Sequence, residues 1–168
     1  MQGLKNALNK ILETICIALF AFITIVGTYQ IITRYIFNSP STISEELLTF
    51  SFTWLALLAA ALVFGKRDHM RMEYVANLFK GKSSIMLSIF SELMVLSFAL
   101  IVLVYGGTQI TKLTAMQITA SLGINMSYIY VIVPISGVLI VLYNIINIYE
   151  SILELKSQGS KLKGETDK

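Results

Sequence analysis

The sequence predicts an all-α membrane protein with four transmembrane helices, and three observations carry that expectation. Of its 168 residues, 55% are hydrophobic and only 14% are charged, and the mean hydropathy is +0.73, which is far more apolar than a soluble domain of this size. The charges sit between long uncharged runs rather than along them. Lysine and arginine also fall almost entirely on one side of those runs, the pattern of a chain oriented across a bilayer.

Each run can be weighed against a hydrocarbon core about 30 Å thick, which needs about 20 helical residues at 1.5 Å rise. Thr14 to Thr33 and Leu47 to Gly65 are uncharged and fit one crossing apiece. Ser83 to Thr111 is interrupted only by Glu92 and fits one tilted crossing. Leu113 to Tyr149 is too long for one simple crossing, and its first part is rich in Thr, Gln, Ser and Asn, so the crossing is expected near Tyr128 to Ile148. The expected spans are therefore about 12–33, 47–65, 84–106 and 128–148, inside one membrane domain of residues 1–155. Residues 156–168, rich in Lys, Glu, Ser and Gly, read as a polar cytoplasmic tail too polar to pack. The first run exceeds a signal-peptide core and lacks an A-x-A-like exit, so it is expected to stay as a helix.

Eleven lysines and arginines precede helix 1, lie between helices 2 and 3 or follow helix 4, whereas only Arg34 and Lys112 lie on the other side. The excess marks the cytoplasmic side, so both termini are expected there. The formal net charge of +3 is small and sits at span ends, so it orients the chain and does not mark a nucleic-acid surface. The single cysteine, Cys16, excludes an intrachain disulfide and a cysteine-based metal site. No Ser/His/Asp or Cys/His set, phosphate-cradling glycine loop or run of His ligands is present, which argues against an enzyme and against a cofactor bound by this chain.

The remaining polar residues are the candidates for function. In "RYIFNSPSTISEELLTF", Pro40 stops the preceding structure, Ser41 or Ser44 can cap the next helix, and Glu45 and Glu46 follow in its first turn. Carboxylates there gain about 0.3–1 kcal/mol from the helix dipole, so a structural role is sufficient for either. Adjacent glutamates point about 100° apart, however, so one can turn to Arg34 while the other faces outward to a partner chain. Trp54 lies within helix 2 and reads as a packing anchor. Between helices 2 and 3, Met72, Val75, Ala76 and Phe79 at i, i+3, i+4 and i+7 suggest a short amphipathic interfacial helix, with an ordinary basic loop as the alternative. His69, the only histidine, and Glu73 lie in that connection. Glu92 is about 10 Å along helix 3, where an ionisable group either reaches water or a loop lysine or serves a partner or a proton. Pro134 and the glycines at 106, 107, 123 and 137 suggest a local break and close helix approach.

Taken in order, R-Y-x-F-N-S-P at Arg34 to Pro40, S-E-E at Ser44 to Glu46, Trp54, H-x-x-x-(D/E) at His69 and Glu73, and "NMSYIYVIVPISG" at Asn125 to Gly137 resemble the small membrane subunit of tripartite ATP-independent periplasmic (TRAP) transporters. The resemblance covers nearly the whole chain. It departs from the family in the residues after S-E-E, Leu47 to Ser51, and in having Glu73 where Asp is common. It implies a sodium-coupled transporter for carboxylates such as C4-dicarboxylates, keto acids or sialic acids, located in the bacterial inner membrane. The partners it implies are a large membrane subunit, which would hold the solute and sodium sites, and a periplasmic binding protein. This chain would be a scaffold among membrane lipids, with Arg34, Glu45, Glu46, Trp54, His69, Glu73, Glu92 and Pro134 as helix-anchoring or subunit-interface residues. The competing expectation is a self-sufficient four-helix transporter that uses Glu92 as its proton site.

Overall fold

The computed structural model describes residues 2–66 and 82–166. Helix α1 (Gln2–Tyr35) is followed by α2 (Thr42–Lys66). Helix α3 (Lys82–Phe98) runs without a break into a π-helical stretch (Ala99–Gly106), α4 (Gly107–Leu113) and a 3-10 turn (Thr114–Met116). Helix α5 (Ser127–Tyr130) leads into the long α6 (Ile132–Thr166). Among the described residues there is no strand, only an isolated antiparallel bridge between Ile118 and Asn125. Four segments are long and apolar enough to cross a membrane: Lys5–Tyr35, Thr42–Lys66, Ile89–Met116 and Ser127–Tyr149.

The helix boundaries have local causes. After α1, Asn38 adopts a left-handed backbone (φ 49°), a conformation its short polar side chain tolerates, and Pro40 follows. Of the two candidate caps for α2, Ser41 serves: its Oγ accepts the Ser44 N–H at 3.4 Å, and the Ser44 hydroxyl donates to the Ser41 carbonyl at 2.9 Å. The third span reaches Met116, ten residues past the expected end at 106, because the helix continues through the Gly106–Gly107 pair. Helix α6 likewise outruns its apolar stretch and stays helical through Thr166. The expected interfacial helix at Met72 to Phe79, with His69 and Glu73, lies outside the described residues.

Packing radiates from α6. Helix α1 packs on α2, α2 on α6, and α6 on the third span. The fourth apolar window is 39% buried against 6–11% in the other three, which makes α6 the central helix and leaves the others exposed over most of their surface. One core cluster joins Leu12, Leu58, Ile132 and Tyr143 with Trp54 and Leu62 against it; a second joins Ala61, Ala99 and Ile140. Small residues are among the most buried, with Ala61, Ala99 and Ser136 at 0% exposure. Lipid tails are as apolar as leucine, so close backbone approach and dispersion, not hydrophobic burial, hold such helices together.

Two of the expected glycines mark that approach. A Cβ at Gly107 would lie 2.9 Å from the Pro134 nitrogen, and one at Gly137 would lie 2.7 Å from the Leu103 Cβ, in the π-helical stretch. Gly106 meets nothing closer than 3.6 Å, and Gly123 is instead a turn residue with φ 66° and open space around it. Hydroxyls at membrane depth fold back on their own helices: Thr24 and Thr28 donate to the carbonyls four residues earlier at 2.9 and 2.8 Å.

Replacing Gly107 or Gly137 by Ala should force the third span off α6 and cost about 1–3 kcal/mol, read by thermal unfolding in lipid. Gly106→Ala should be neutral or stabilising by up to about 1 kcal/mol, since it gains helix propensity without a clash.

Candidate functional site

At the end of the bundle away from the chain termini, the connection from Gln117 to Met126 is tied into a compact knot. The Thr119 N–H donates to the Ile124 carbonyl at 2.9 Å, the Met126 N–H to the Gln117 carbonyl at 2.9 Å, and the Ile124 N–H to the Thr119 hydroxyl at 3.1 Å. Asn125 donates from its amide to the Ala115 carbonyl and accepts the Ser127 N–H at 2.9 Å, which caps α5. Two successive backbone N–H groups at the tip, those of Ser121 and Leu122, point instead at α2. There the Glu46 carboxylate accepts both, one on each oxygen, at 3.0 Å.

This arrangement answers what the paired glutamates do. Successive amides form a concavity that suits an anion, and each hydrogen bond to a charged group is worth about 1.5–3 kcal/mol where water is largely kept away. Glu46 is half-buried and therefore fastens the third-to-fourth-span connection to the start of α2. The expected pairing with Arg34 does not form: Arg34 is exposed at the end of α1, and among the described residues neither glutamate makes an ion pair with it. Glu45 sits in the first turn of α2 and is exposed, with the favourable dipole position as its local support.

A second fastening lies within the membrane. Pro134 has no N–H, so the helical ladder breaks between α5 and α6 and resumes where the Ile135 N–H reaches the Val131 carbonyl at 3.3 Å. The donor that Pro134 lacks is the one the Tyr130 carbonyl, four residues earlier, would otherwise receive. Beside that break the Trp54 indole Nε1–H donates to the Ile129 carbonyl at 3.1 Å, 75 residues away in sequence. Its position deep in helix 2 is thus explained by a polar contact as well as by packing. The residue is the crosspiece between α2 and the broken helix.

The end of the bundle that carries the termini holds a third group, which sequence reasoning missed. Asn147 on α6 accepts from Lys5 Nζ at 3.0 Å and donates to the Phe64 carbonyl at 3.2 Å, joining α1, α2 and α6. Beside it Lys66 meets Glu13 at 3.4 Å, with the two side chains 39% and 49% exposed, so this pair contributes at most about 1 kcal/mol. The available signal was the set of amides inside apolar helices, Asn9, Asn144 and Asn147, at helical spacing from Lys5 and Ser151. Glu92 is half-buried on α3 and makes an interaction of its own. Among the described residues no three His, Cys, Asp or Glu side chains gather as a metal site.

Glu46→Gln keeps the shape but removes the charge and one acceptor oxygen. Hydrogen exchange at the Ser121 and Leu122 amides should accelerate about 10–100-fold, while Glu45→Gln should leave both unchanged; mass spectrometry of the loop peptide reads the difference.

Most of the residues in these fastenings lie within a stretch that matches a known family. The sequence pattern of the tripartite ATP-independent periplasmic transporters, DctQ component, matches residues 23–154, a stretch that contains Glu46, Trp54 and Pro134. A putative TRAP transporter small permease protein of Haemophilus influenzae is 32% identical over 96 residues, covering 57% of this chain and 60% of that protein, so the chain matches less than two thirds of its length. The sialic acid TRAP transporter small permease protein SiaQ of Vibrio cholerae is 31% identical over 165 residues, covering 95% of this chain and 94% of that protein. The sialic acid TRAP transporter permease protein SiaT of Haemophilus influenzae is 26% identical over 132 residues, 79% of this chain but 21% of that protein. The chain belongs to the DctQ family, the small permease component of TRAP transporters, and is a multi-pass membrane component of transport and not an enzyme.

Proposed function

We propose that this chain is the scaffold subunit of a sodium-coupled TRAP system that takes up a carboxylate, with sialic acid as the first solute class to test. The solute class rests on the nearly full-length similarity to SiaQ, whose name gives sialic acid. A large membrane partner is supported by SiaT, in which a segment similar to this chain occupies about a fifth of a much longer permease. The periplasmic binding protein is the third part. The excess of lysine and arginine at the terminal end supports cytoplasmic termini and insertion in the bacterial inner membrane.

The observation that carries the scaffold role is where the polar groups of the spans and of their ends go. Glu46 is spent on two loop amides, Trp54 on the Ile129 carbonyl and Asn147 on Lys5 and the Phe64 carbonyl. Each ties one helix of this chain to another. Such groups stiffen a bundle, whereas a solute site holds its polar groups open toward a cavity. The wide lipid-facing surface of α1, α2 and the third span then gives a rigid body broad anchorage in the bilayer, and against it a transport domain of the large subunit can move. In this reading Arg34 and Glu45, exposed at the outer end, are free to meet the large subunit or the binding protein. The competing reading, a self-sufficient carrier built on Glu92, has no observation in its favour beyond the acid itself.

Proteoliposomes test this directly. Uptake of radiolabelled sialic acid under an inward sodium gradient should require the large subunit, the binding protein and this chain, and should fall to background when this chain is left out. Uptake by this chain alone, or full uptake without it, would overturn the proposal.

A further inference from the structure

The side chains that α6 turns toward its neighbours change character along its length. Ile132, Ile140 and the Tyr143 ring pack in apolar clusters, whereas the polar Asn144, Asn147 and Ser151 follow on the same buried side. Asn147 is engaged at both its oxygen and its nitrogen, by Lys5 and the Phe64 carbonyl. One turn further into the membrane the situation differs. Tyr143 and Asn144 are 1% and 0% exposed, and α1, α2 and α6 converge there on Gly65. A Cβ at Gly65 would collide with the Asn9 Oδ1 and would stand 2.7 Å from the Tyr143 Cζ, so the Asn9 amide and the Tyr143 ring press on the same point.

Four side-chain atoms at this level of α1 and α6, Asn9 Oδ1, Tyr143 Oη, Asn144 Oδ1 and Asn144 Nδ2, are buried and neither donate a hydrogen bond to nor accept one from any described residue. Each would carry the full cost of desolvation if nothing met it, and within a bilayer no bulk solvent relieves that cost. Their chemistry selects the ligand. Two carbonyl-type acceptors, one amide donor and one hydroxyl that can do either suit a small neutral molecule that both donates and accepts. A cation would leave the Asn144 Nδ2–H₂ facing a positive charge, and an anion would face two carbonyl oxygens.

We propose that the Asn9–Tyr143–Asn144 layer is a binding site for ordered water. Water there bridges Asn9 on α1 to Tyr143 and Asn144 on α6, continuing inward the fastening that Asn147 makes directly. Buried water of this kind makes two to four hydrogen bonds and acts as part of the structure. The site is independent of which solute the transporter carries and of whether the chain is a scaffold.

Two readings on the full chain in lipid nanodiscs test it. Pulsed X-ray radiolysis makes hydroxyl radicals from water itself, so a fully buried ring is oxidised only where water touches it. Mass spectrometry should find Tyr143 oxidised despite its burial. Tyr143→Phe removes one hydroxyl without adding volume, and it should lower the thermal midpoint by about 2–4 °C as a water-mediated bond is lost. An unoxidised Tyr143, or a midpoint raised by Tyr143→Phe as expected when a dry, unpaired hydroxyl is removed, would overturn the site.

Discussion

The interaction on which the rest of this structure depends is the satisfaction of backbone polar groups where water cannot help. A helix within lipid is stable because its amides and carbonyls bond to each other, and each group left over costs several kcal/mol. Where the helix breaks between α5 and α6, beside Pro134, the Trp54 indole donates to the Ile129 carbonyl. At the bundle end the same logic places the Glu46 carboxylate on the Ser121 and Leu122 amides. Both solutions join α2 to the segments around α6 and so convert local defects into ties between helices.

Those ties matter more than their number suggests. Apolar burial does little to hold helices together in lipid, so the close approaches at Gly107 and Gly137 supply the contact, and the directional bonds fix its register. The π-helical stretch from Ala99 to Gly106 lies where the third span meets Gly137, and π-helical turns are uncommon enough to mark a specific local demand. At the other end, Asn147 holds α1 and α2 to α6, while the exposed Lys66–Glu13 pair contributes little. The outcome is a bundle with its specific bonds turned inward and its apolar surfaces turned out, as the proposed scaffold role requires.

How much of this was legible in the sequence depends on the range of the interactions. Four spans and the break at Pro134 follow from hydropathy and from proline's missing donor, both local properties, and the structure has them. The boundaries were less accurate where no local signal marks them, as with the third span running through Gly106–Gly107 to Met116. Glu46, Trp54 and Pro134 could be singled out as unusual, but their partners could not be named. Glu46 and Trp54 each reach across about 75 residues, and sequence spacing constrains only the first few turns. Arg34 was the nearest opposite charge to Glu46, and the wrong choice, because backbone amides are invisible in a pattern of side chains. The polar layer of Asn9, Asn144 and Asn147 was visible only as amides scattered in apolar runs.

The central claim is that this bundle stays rigid while its partner moves. It is tested by tying two of its helices together during transport. A Cβ at Gly27 would lie 3.9 Å from a Leu48 side-chain carbon, so cysteines at these two positions, in a chain with Cys16→Ser, can be joined across α1 and α2 by a short reducible bifunctional thiol reagent. Sialic acid uptake by the reconstituted three-part system should proceed at the same rate before and after joining. A complex that stops when the two helices are joined and resumes when the link is reduced would contradict the account, and would show that motion inside the small subunit is part of the transport cycle.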